Sequence, residues 1–126
     1  MFIIVAKVMI VDDEATIRQS VRLVLESEGY EISEASNADD ALIAVQKNAP
    51  DLILLDIRMP GMPSVELIKR IKSDKNLSRI KIIYLTAIVG AKQIAQDMKG
   101  VEATIEKPFT NEELLSAIEQ VLKRKI

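Results

Sequence analysis

The sequence predicts an α/β protein with a doubly wound, five-stranded parallel sheet in the strand order 2-1-3-4-5. Short apolar runs alternate with segments in which apolar residues recur at helical spacing, and this alternation is typical of right-handed βαβ units. The first, third and fourth runs are almost wholly apolar, as strands covered on both faces are. The second and fifth carry glutamates, which are typical of edge strands, and edges at these two positions match this order.

Five short segments are predicted as strands because apolar residues dominate them or alternate with polar ones. The predicted strands are Lys7–Val11, Glu31–Ala35, Leu52–Leu55, 80–85 and 101–105. Helical spacing predicts a helix after each strand. The first spans 14–28 and stops at Gly29, Asn37 caps the second, the fourth is a short helix over 91–99, and Thr110 caps the fifth.

The third predicted helix follows the loop around Pro60. Ser64 is its predicted cap, because serine favours the position before a helix. Its inward face is expected to carry Val65, Ile68 and Ile71.

Length and composition exclude several classes of protein. The 126 residues fit one domain, and 17 basic against 19 acidic residues give a net charge of −2, so no basic surface is expected for nucleic acid or membrane. The absence of Cys and His excludes a thiol nucleophile, a Ser-His-Asp triad and zinc held by these residues. The four glycines are too scattered for a phosphate-binding fingerprint, and no apolar stretch is long enough to span a membrane.

Polar side chains at the strand ends form the candidate site. Open α/β sheets place their sites beyond the carboxyl ends of the strands, where the strand order reverses. Those ends carry Asp12, Asp13, Asp56, Thr86 and Lys107. Each close pair of carboxylates costs about 4 kcal/mol at 4 Å with an effective dielectric near 20. Because a divalent cation held by oxygen ligands would offset this repulsion, we expect a Mg²⁺ site.

The expected metal ligands are mainly carboxylates. Asp13 and Asp56 are the expected direct ligands, and Asp12 binds directly or through water. A backbone carbonyl just after Asp56, that of Arg58, completes the set.

Asp56 is also the expected nucleophile, because it ends the most buried strand and faces a loop. A carboxylate can form an acyl phosphate without a general base, which matters in a chain without His. The metal and Lys107 would neutralise the phosphoryl oxygens, and Thr86 could donate a hydrogen bond to one of them.

Four segments together resemble the receiver domain of two-component response regulators, a CheY-like superfamily with a flavodoxin-like fold. These segments are KVMIVDDE (7–14), DLILLDIRMPGM (51–62), IIYLTA (82–87) and EKPF (106–109). The resemblance implies that a sensor histidine kinase phosphorylates Asp56, with Mg²⁺ held at Asp12, Asp13 and Asp56. It also implies that Thr86 and Lys107 are switch and phosphate-contact residues.

The resemblance carries further expectations for the whole chain. It implies a cis peptide bond before Pro108, a partner surface that changes on phosphorylation, and slow autodephosphorylation. We expect residues 1–126 to be a single receiver domain in the cytoplasm, without an output domain; either its output partner is a separate protein or the chain is a fragment of a larger one. Its partners would be the kinase and an unknown downstream output protein, with no direct nucleic-acid binding and no membrane insertion.

One position departs from the family pattern. Members commonly have Tyr or Phe three residues before the fifth-strand lysine, and this ring swings inward on activation; Thr104 occupies that position here. We therefore hypothesise that phosphorylation still moves Thr86, but that the readout through an aromatic rotamer is missing.

Three other interpretations stay open from the sequence. Asp12 and Asp13 could simply cap the first helix, since Asp is favoured there. The protein could be a Mg²⁺-dependent phosphatase acting through an aspartyl phosphate, although Arg58 stands where such an enzyme has a second acid. It could also be a docking module that works without phosphorylation.

Overall fold

A parallel sheet of five strands organises the computed structural model, which describes residues 5–87 and 100–123. The strands are β1 (Lys7–Val11), β2 (Glu31–Ala35), β3 (Leu52–Leu55), β4 (Lys81–Thr86) and β5 (Ala103–Glu106). Their spatial order is β2-β1-β3-β4-β5, and every neighbouring pair is parallel. The predicted strand order is confirmed, with β2 and β5 at the edges.

Four helices lie in the described part of the chain: α1 (Ala15–Ser27), α2 (Ala38–Lys47), α3 (Ser64–Ser73) and α4 (Asn111–Leu122). The helix predicted over 91–99 lies outside the described residues. Two predicted caps are confirmed, since the side chain of Asn37 accepts from the Asp40 N–H and Thr110 forms a reciprocal capping box with Glu113. None of the described helices is long and apolar enough to cross a membrane.

The two faces of the sheet carry separate cores, because side chains alternate along each strand. The face covered by α1 and α4 includes the fully buried Val8, Ile10, Leu25, Leu54 and Leu114. The face covered by α2 and α3 includes Met9, Val45, Ile53, Leu67 and Tyr84. Burying each large aliphatic side chain stabilises the fold by roughly 1.5–3 kcal/mol, so the strand ends are held on a rigid base.

Several predicted boundaries differ from the observed ones by one or two residues. β4 begins at Lys81 rather than at Ile80, whose N–H donates to the Leu77 carbonyl in the preceding turn. Thr86 is the last residue of β4, because it pairs in register with Glu106 of β5. The ends of these strands therefore depend on hydrogen bonds with the preceding turn and the neighbouring strand, which the apolar pattern does not reveal.

The start of α3 corrects two predictions. Pro63 is the N-cap, and Ser64 is the first helical residue. The Ser64 hydroxyl instead donates to the carbonyls of Asp56, at 2.7 Å, and Ile57, at 3.1 Å. Val65, expected inward, is 39% exposed, whereas Leu67 is fully buried. The helix buries residues 64, 67, 68 and 71, which form one stripe along it. Because each residue is rotated by about 100° from the one before, Val65 lies outside this stripe.

Replacing Ser64 with Ala is expected to lower the free energy of unfolding by about 1–2 kcal/mol, because two carbonyls at the end of β3 lose a buried donor. Urea unfolding followed by far-UV circular dichroism measures this change. The matched control is Ser73→Ala at the exposed end of α3, which is expected to stay within about 0.5 kcal/mol of the wild type. Equal effects of the two substitutions would contradict the role given to the Ser64 hydroxyl.

Candidate functional site

An open cleft of ≈ 560 Å³ lies at the carboxyl ends of the strands. Its lining residues are Asp13, Glu14, Asp56, Arg58, Thr86, Ala87 and Lys107. Asp12 is fully buried and contacts the cleft through Lys107. The structure thus brings together all five side chains singled out at the strand ends, although Asp12 and Lys107 are 95 residues apart in sequence.

Three carboxylates converge because β1 and β3 remain paired past their last residues. The Asp56 N–H donates to the Val11 carbonyl at 3.0 Å, which places Asp56 beside Asp12. One carboxylate oxygen from each of Asp12, Asp13 and Asp56 lies within 4.8 Å of the other two. Asp12 and Asp56 are buried and Asp13 is exposed, so the cluster is reached from solvent on the Asp13 side.

Every polar group of Asp12 has a partner. Its Oδ1 accepts from the Glu14 N–H at 2.9 Å, and its Oδ2 accepts from Lys107 Nζ at 2.7 Å. Its N–H donates to the Ala35 carbonyl, and its own carbonyl accepts from the Arg18 guanidinium. The helix-cap interpretation is therefore incomplete: Glu14 is the N-cap of α1, and the Asp12 carboxylate also binds a lysine from the far end of the chain.

Lys107 reaches the acids from the end of β5. Its N–H donates to the Thr86 carbonyl at 2.8 Å, and its Nζ lies 3.7 Å from Asp56 Oδ2 as well as 2.7 Å from Asp12. Burial alone lowers the pKa of Lys107, but the hydrogen bond to Asp12 and the charge of Asp56 outweigh it, and the pKa is raised above its usual value. Lys107 is therefore a fixed positive charge. The peptide bond between Lys107 and Pro108 is cis, as the resemblance implied.

Lys107 does not fully neutralise the cluster. Desolvation raises the pKa of the Asp56 carboxyl, and the charges of Asp12 and Asp13 raise it further. The charge of Lys107 and the Arg58 N–H, which donates to Asp56 Oδ1 at 3.2 Å, act in the opposite direction but do not reverse the shift. Three carboxylates share one lysine, and this all-oxygen set fits a hard divalent cation such as Mg²⁺.

The remaining residues of the cleft differ in how well the sequence indicated them. Thr86 is buried at the end of β4, and the exposed Arg58 follows Asp56 at the rim. The Arg58 carbonyl as a metal ligand stays a prediction. Glu14 was not expected to line the cleft, yet its charge contributes to the raised pKa of Lys107. Its position directly after Asp12 and Asp13 in the sequence is the feature that could have indicated this.

Thr104 lies beside a buried aromatic residue. It pairs in register with Tyr84 of β4, and neighbouring residues of a parallel sheet present their side chains on the same face. Tyr84 is 1% exposed, and burial raises its pKa to about 12. Thr86 follows Tyr84 by two residues and so projects from the same face. An aromatic side chain on this face of the sheet is thus supplied by β4.

A second, mostly apolar groove of ≈ 430 Å³ adjoins the cleft between α1 and the start of α4. It shares Ala87 and Lys107 with the cleft. Its other walls include Ile17, Val24 and Phe109. A macromolecule that reaches Asp56 from this side would contact the groove.

Comparison with known proteins assigns most of the chain to one family model, the response regulator receiver domain, which matches residues 8–119. The phosphate regulon transcriptional regulatory protein PhoB of Pseudomonas aeruginosa is 41% identical over 118 residues, 93% of this chain. The chain covers 52% of that relative's length. Sporulation initiation phosphotransferase F of Bacillus subtilis is 38% identical over 122 residues, which cover 94% of this chain and 95% of the relative.

Solved structures agree with this family match. The chemotaxis response regulator CheY4 of Vibrio cholerae superposes with a TM-score of 0.86 at 33% identity, covering 94% of this chain and 99% of that one. A response regulator structure from Chloroflexus aurantiacus superposes with a TM-score of 0.88 at 30% identity, covering 96% of this chain and all of that one. Similarity of sequence and of fold therefore extends over the same part of the chain.

Replacing Asp56 with Asn is expected to raise the free energy of unfolding by about 1 kcal/mol at neutral pH without divalent cations. The folded-state pKa of Asp56 is raised, so its ionisation disfavours the folded state once the pH exceeds the unfolded pKa near 3.9. At about pH 3 the carboxyl is protonated in both states, and the gain is expected to disappear. Urea unfolding at the two pH values measures this difference.

The control for this charge effect is Asp39→Asn, which removes an exposed negative charge from the first turn of α2. A negative charge is favourable there, so no gain in stability is expected. An Asp56→Asn protein no more stable than the wild type at neutral pH would contradict the charge imbalance described above.

Proposed function

The chain belongs to the response regulator receiver domain family, and we propose that it is a phosphorylation-controlled switch in which Asp56 accepts the phosphoryl group. Receiver domains are phosphoacceptor switches of two-component systems. The observation that carries the assignment to Asp56 is its position: its carboxylate lies in the cleft beside Asp12 and Asp13, with Lys107 Nζ 3.7 Å away. Phosphotransfer chemistry needs a nucleophile at such a site and a positive charge beside it.

The Asp56 carboxylate attacks the phosphorus atom of a phosphohistidine. A new bond forms between its oxygen and phosphorus, the phosphorus–nitrogen bond breaks, and the leaving imidazole retains the electron pair and takes up a proton. A carboxylate loses no proton in this attack, so no general base is required. The Lys107 ammonium stabilises the charge that develops on the phosphoryl oxygens.

Three side chains of this cluster would hold Mg²⁺, with the Arg58 carbonyl completing the set. Asp13 and Asp56 are the direct ligands in this proposal. Asp12 contributes through water, because Glu14 N–H and Lys107 already occupy its two carboxylate oxygens. When bound, Mg²⁺ supplies positive charge to the transferring phosphoryl group and offsets the repulsion among the aspartates.

Thr86 connects the phosphorylated site to the rest of the molecule. We propose that its hydroxyl donates to a phosphoryl oxygen, so that a conformation with Thr86 turned towards Asp56 gains population. The Thr86 carbonyl accepts from the Lys107 N–H, which ties the end of β4 to the lysine that contacts the phosphoryl group in this proposal. Slow hydrolysis of the aspartyl phosphate by water resets the switch.

The phosphodonor in this proposal is a sensor histidine kinase. A kinase that presents a phosphohistidine to Asp56 must contact the rim of the cleft, and the adjoining apolar groove between α1 and α4 gives it a surface to bind. The downstream partner is a separate output protein or domain. The net charge of −2 gives this chain no overall excess of positive charge that would attract nucleic acid. We place the switch in the cytoplasm, where ATP for a histidine kinase is available.

Incubation with acetyl phosphate and Mg²⁺ is expected to add one phosphoryl group, which intact-mass spectrometry detects. The wild type should gain the adduct and lose it on standing, whereas Asp56→Asn should gain none. Chelation of the divalent cation should abolish the reaction, because the carboxylate cluster then lacks its counter-charge. The same assay with autophosphorylated histidine kinases identifies the donor by its rate of transfer.

Three outcomes would overturn the proposal. An adduct on a residue other than Asp56 would overturn the assignment of the phosphoacceptor, and no adduct with any donor would favour a docking module that works without phosphorylation. Repeated turnover of a generic phosphate ester would favour a phosphatase, for which the side chain of Arg58 offers no general acid.

The position of Thr104 gives a second prediction for this function. Beryllofluoride, a mimic of the phosphoryl group, is expected to shift the amide resonances of Thr86 and Ala87 strongly and those of β5 and α4 weakly. The physical reason is that Thr104 has no ring that could change its packing when Thr86 moves. Two-dimensional NMR with and without the mimic measures these shifts, and Asp56→Asn serves as the control that does not bind it. A large response along β5 would refute the hypothesis.

A further inference from the structure

Arg18 links the acidic site to the edge strand β2. From α1, its Nη1 donates to the Asp12 carbonyl at 2.7 Å, and its Nε donates to Glu34 Oε1 at 3.0 Å. Its side chain is 19% exposed and that of Glu34 is 24% exposed, so both contacts are shielded from solvent. The planar guanidinium presents several N–H donors in a fixed geometry, which lets one side chain hold both partners at once.

Glu34 is itself held in place from two sides. Its Oε2 accepts from Nη1 of Arg22, one helical turn after Arg18, and Arg22 also pairs with Glu26. The carboxylate of Glu34 thus joins two arginines of α1 to β2. Charge-assisted contacts in a shared network are stronger and better fixed in geometry than isolated surface ion pairs.

The Asp12 carbonyl belongs to the peptide plane that it shares with the Asp13 N–H. Because the peptide unit is rigid, a donor that fixes the Asp12 carbonyl also fixes the positions of the nitrogen and Cα atoms of Asp13. The carboxylate of Asp13 needs such help, since within residues 5–87 and 100–123 no hydrogen bond or ion pair restrains it. The backbone is therefore the route by which the direction of this exposed ligand can be set.

We propose that Arg18 is a positioning residue for the divalent-cation site, acting through the Asp12–Asp13 peptide. Glu34 holds the guanidinium, the guanidinium holds the Asp12 carbonyl, and Asp13 is thereby kept directed at Asp56 before a cation binds. Residues that orient metal ligands commonly change metal affinity by 10–100-fold when removed. This inference rests on the proposed function, because it concerns the Mg²⁺ site used there.

The chain offers a matched control for Arg18. Arg22 lies on the same helix, carries the same charge and pairs with the same Glu34, yet its contacts are with Glu34 and Glu26 and not with Asp12. Arg18→Met and Arg22→Met therefore remove equal charge and a similar ion pair. They differ in the hydrogen bond to the Asp12 carbonyl.

The experiment measures Mg²⁺ binding by calorimetry and the rate of phosphorylation by acetyl phosphate over a range of Mg²⁺ concentrations. Arg18→Met is expected to raise the Mg²⁺ Kd about tenfold, with the maximal rate restored at saturating Mg²⁺. Arg22→Met is expected to leave the Kd at the wild-type value. Arg18→Lys is expected to give an intermediate Kd, because an ammonium reproduces the charge but not the two-partner geometry.

A readout without metal separates positioning from a general loss of stability. In the metal-free protein, the Asp13 amide resonance is expected to shift or broaden in Arg18→Met and to stay unchanged in Arg22→Met. If Arg18→Met does not fold, Glu34→Ala gives the same test, because it removes the carboxylate that accepts from Arg18 while leaving α1 intact. The expected rise in its Kd must then exceed that of Arg22→Met.

The outcomes distinguish this inference from the function on which it rests. Equal Mg²⁺ Kd values for Arg18→Met and Arg22→Met, or a loss of rate that saturating Mg²⁺ does not restore, would overturn the positioning role alone. A wild-type chain that neither binds Mg²⁺ nor accepts a phosphoryl group would overturn both.

Discussion

The site depends on one electrostatic constraint: adjacent parallel strands force like charges together at their carboxyl ends. The hydrogen bond from the Asp56 N–H to the Val11 carbonyl continues the pairing of β1 with β3 and keeps Asp56 beside Asp12. Two separate apolar cores fix both strands, so relaxing the repulsion would require unpacking the sheet. The stability of the fold thus maintains a local charge imbalance, which a cation or a phosphoryl group with its counter-ion can relieve.

The contact between Lys107 and Asp12 determines how that imbalance is distributed. Lys107 binds Asp12 at 2.7 Å and lies 3.7 Å from Asp56. Its positive charge therefore pairs closely with Asp12 and only partly compensates the negative charge of Asp56. Asp12 is thereby a fixed element of the wall, whereas Asp56 and the exposed Asp13 face the cleft. The same lysine connects the ends of β4 and β5 through the Thr86 carbonyl, so charge and strand geometry are coupled at one residue.

Much of the fold was predictable because local chemistry and tertiary structure agree. Alternating apolar runs predicted the parallel sheet, and the glutamates of the second and fifth runs predicted its strand order. Asn37 and Thr110 cap their helices with their own side chains, as local rules require. Ser64 was predicted as a cap and is not one, because its hydroxyl finds stronger partners in the carbonyls at the end of β3. Local rules fail where a distant backbone group competes for the same side chain.

By itself, the sequence determined which residue types stand at the strand ends, since periodicity and composition depend only on neighbours along the chain. It thereby predicted the candidate site of three aspartates, a threonine and a lysine, and the family resemblance gave each a role. Only the tertiary structure decided which groups the Asp12 carboxylate oxygens bind, that Glu14 lines the cleft, and that Arg18, itself paired with Glu34, donates to the Asp12 carbonyl. Those outcomes depend on hydrogen-bond distances between elements, and such distances exist only after the sheet register and helix packing are set.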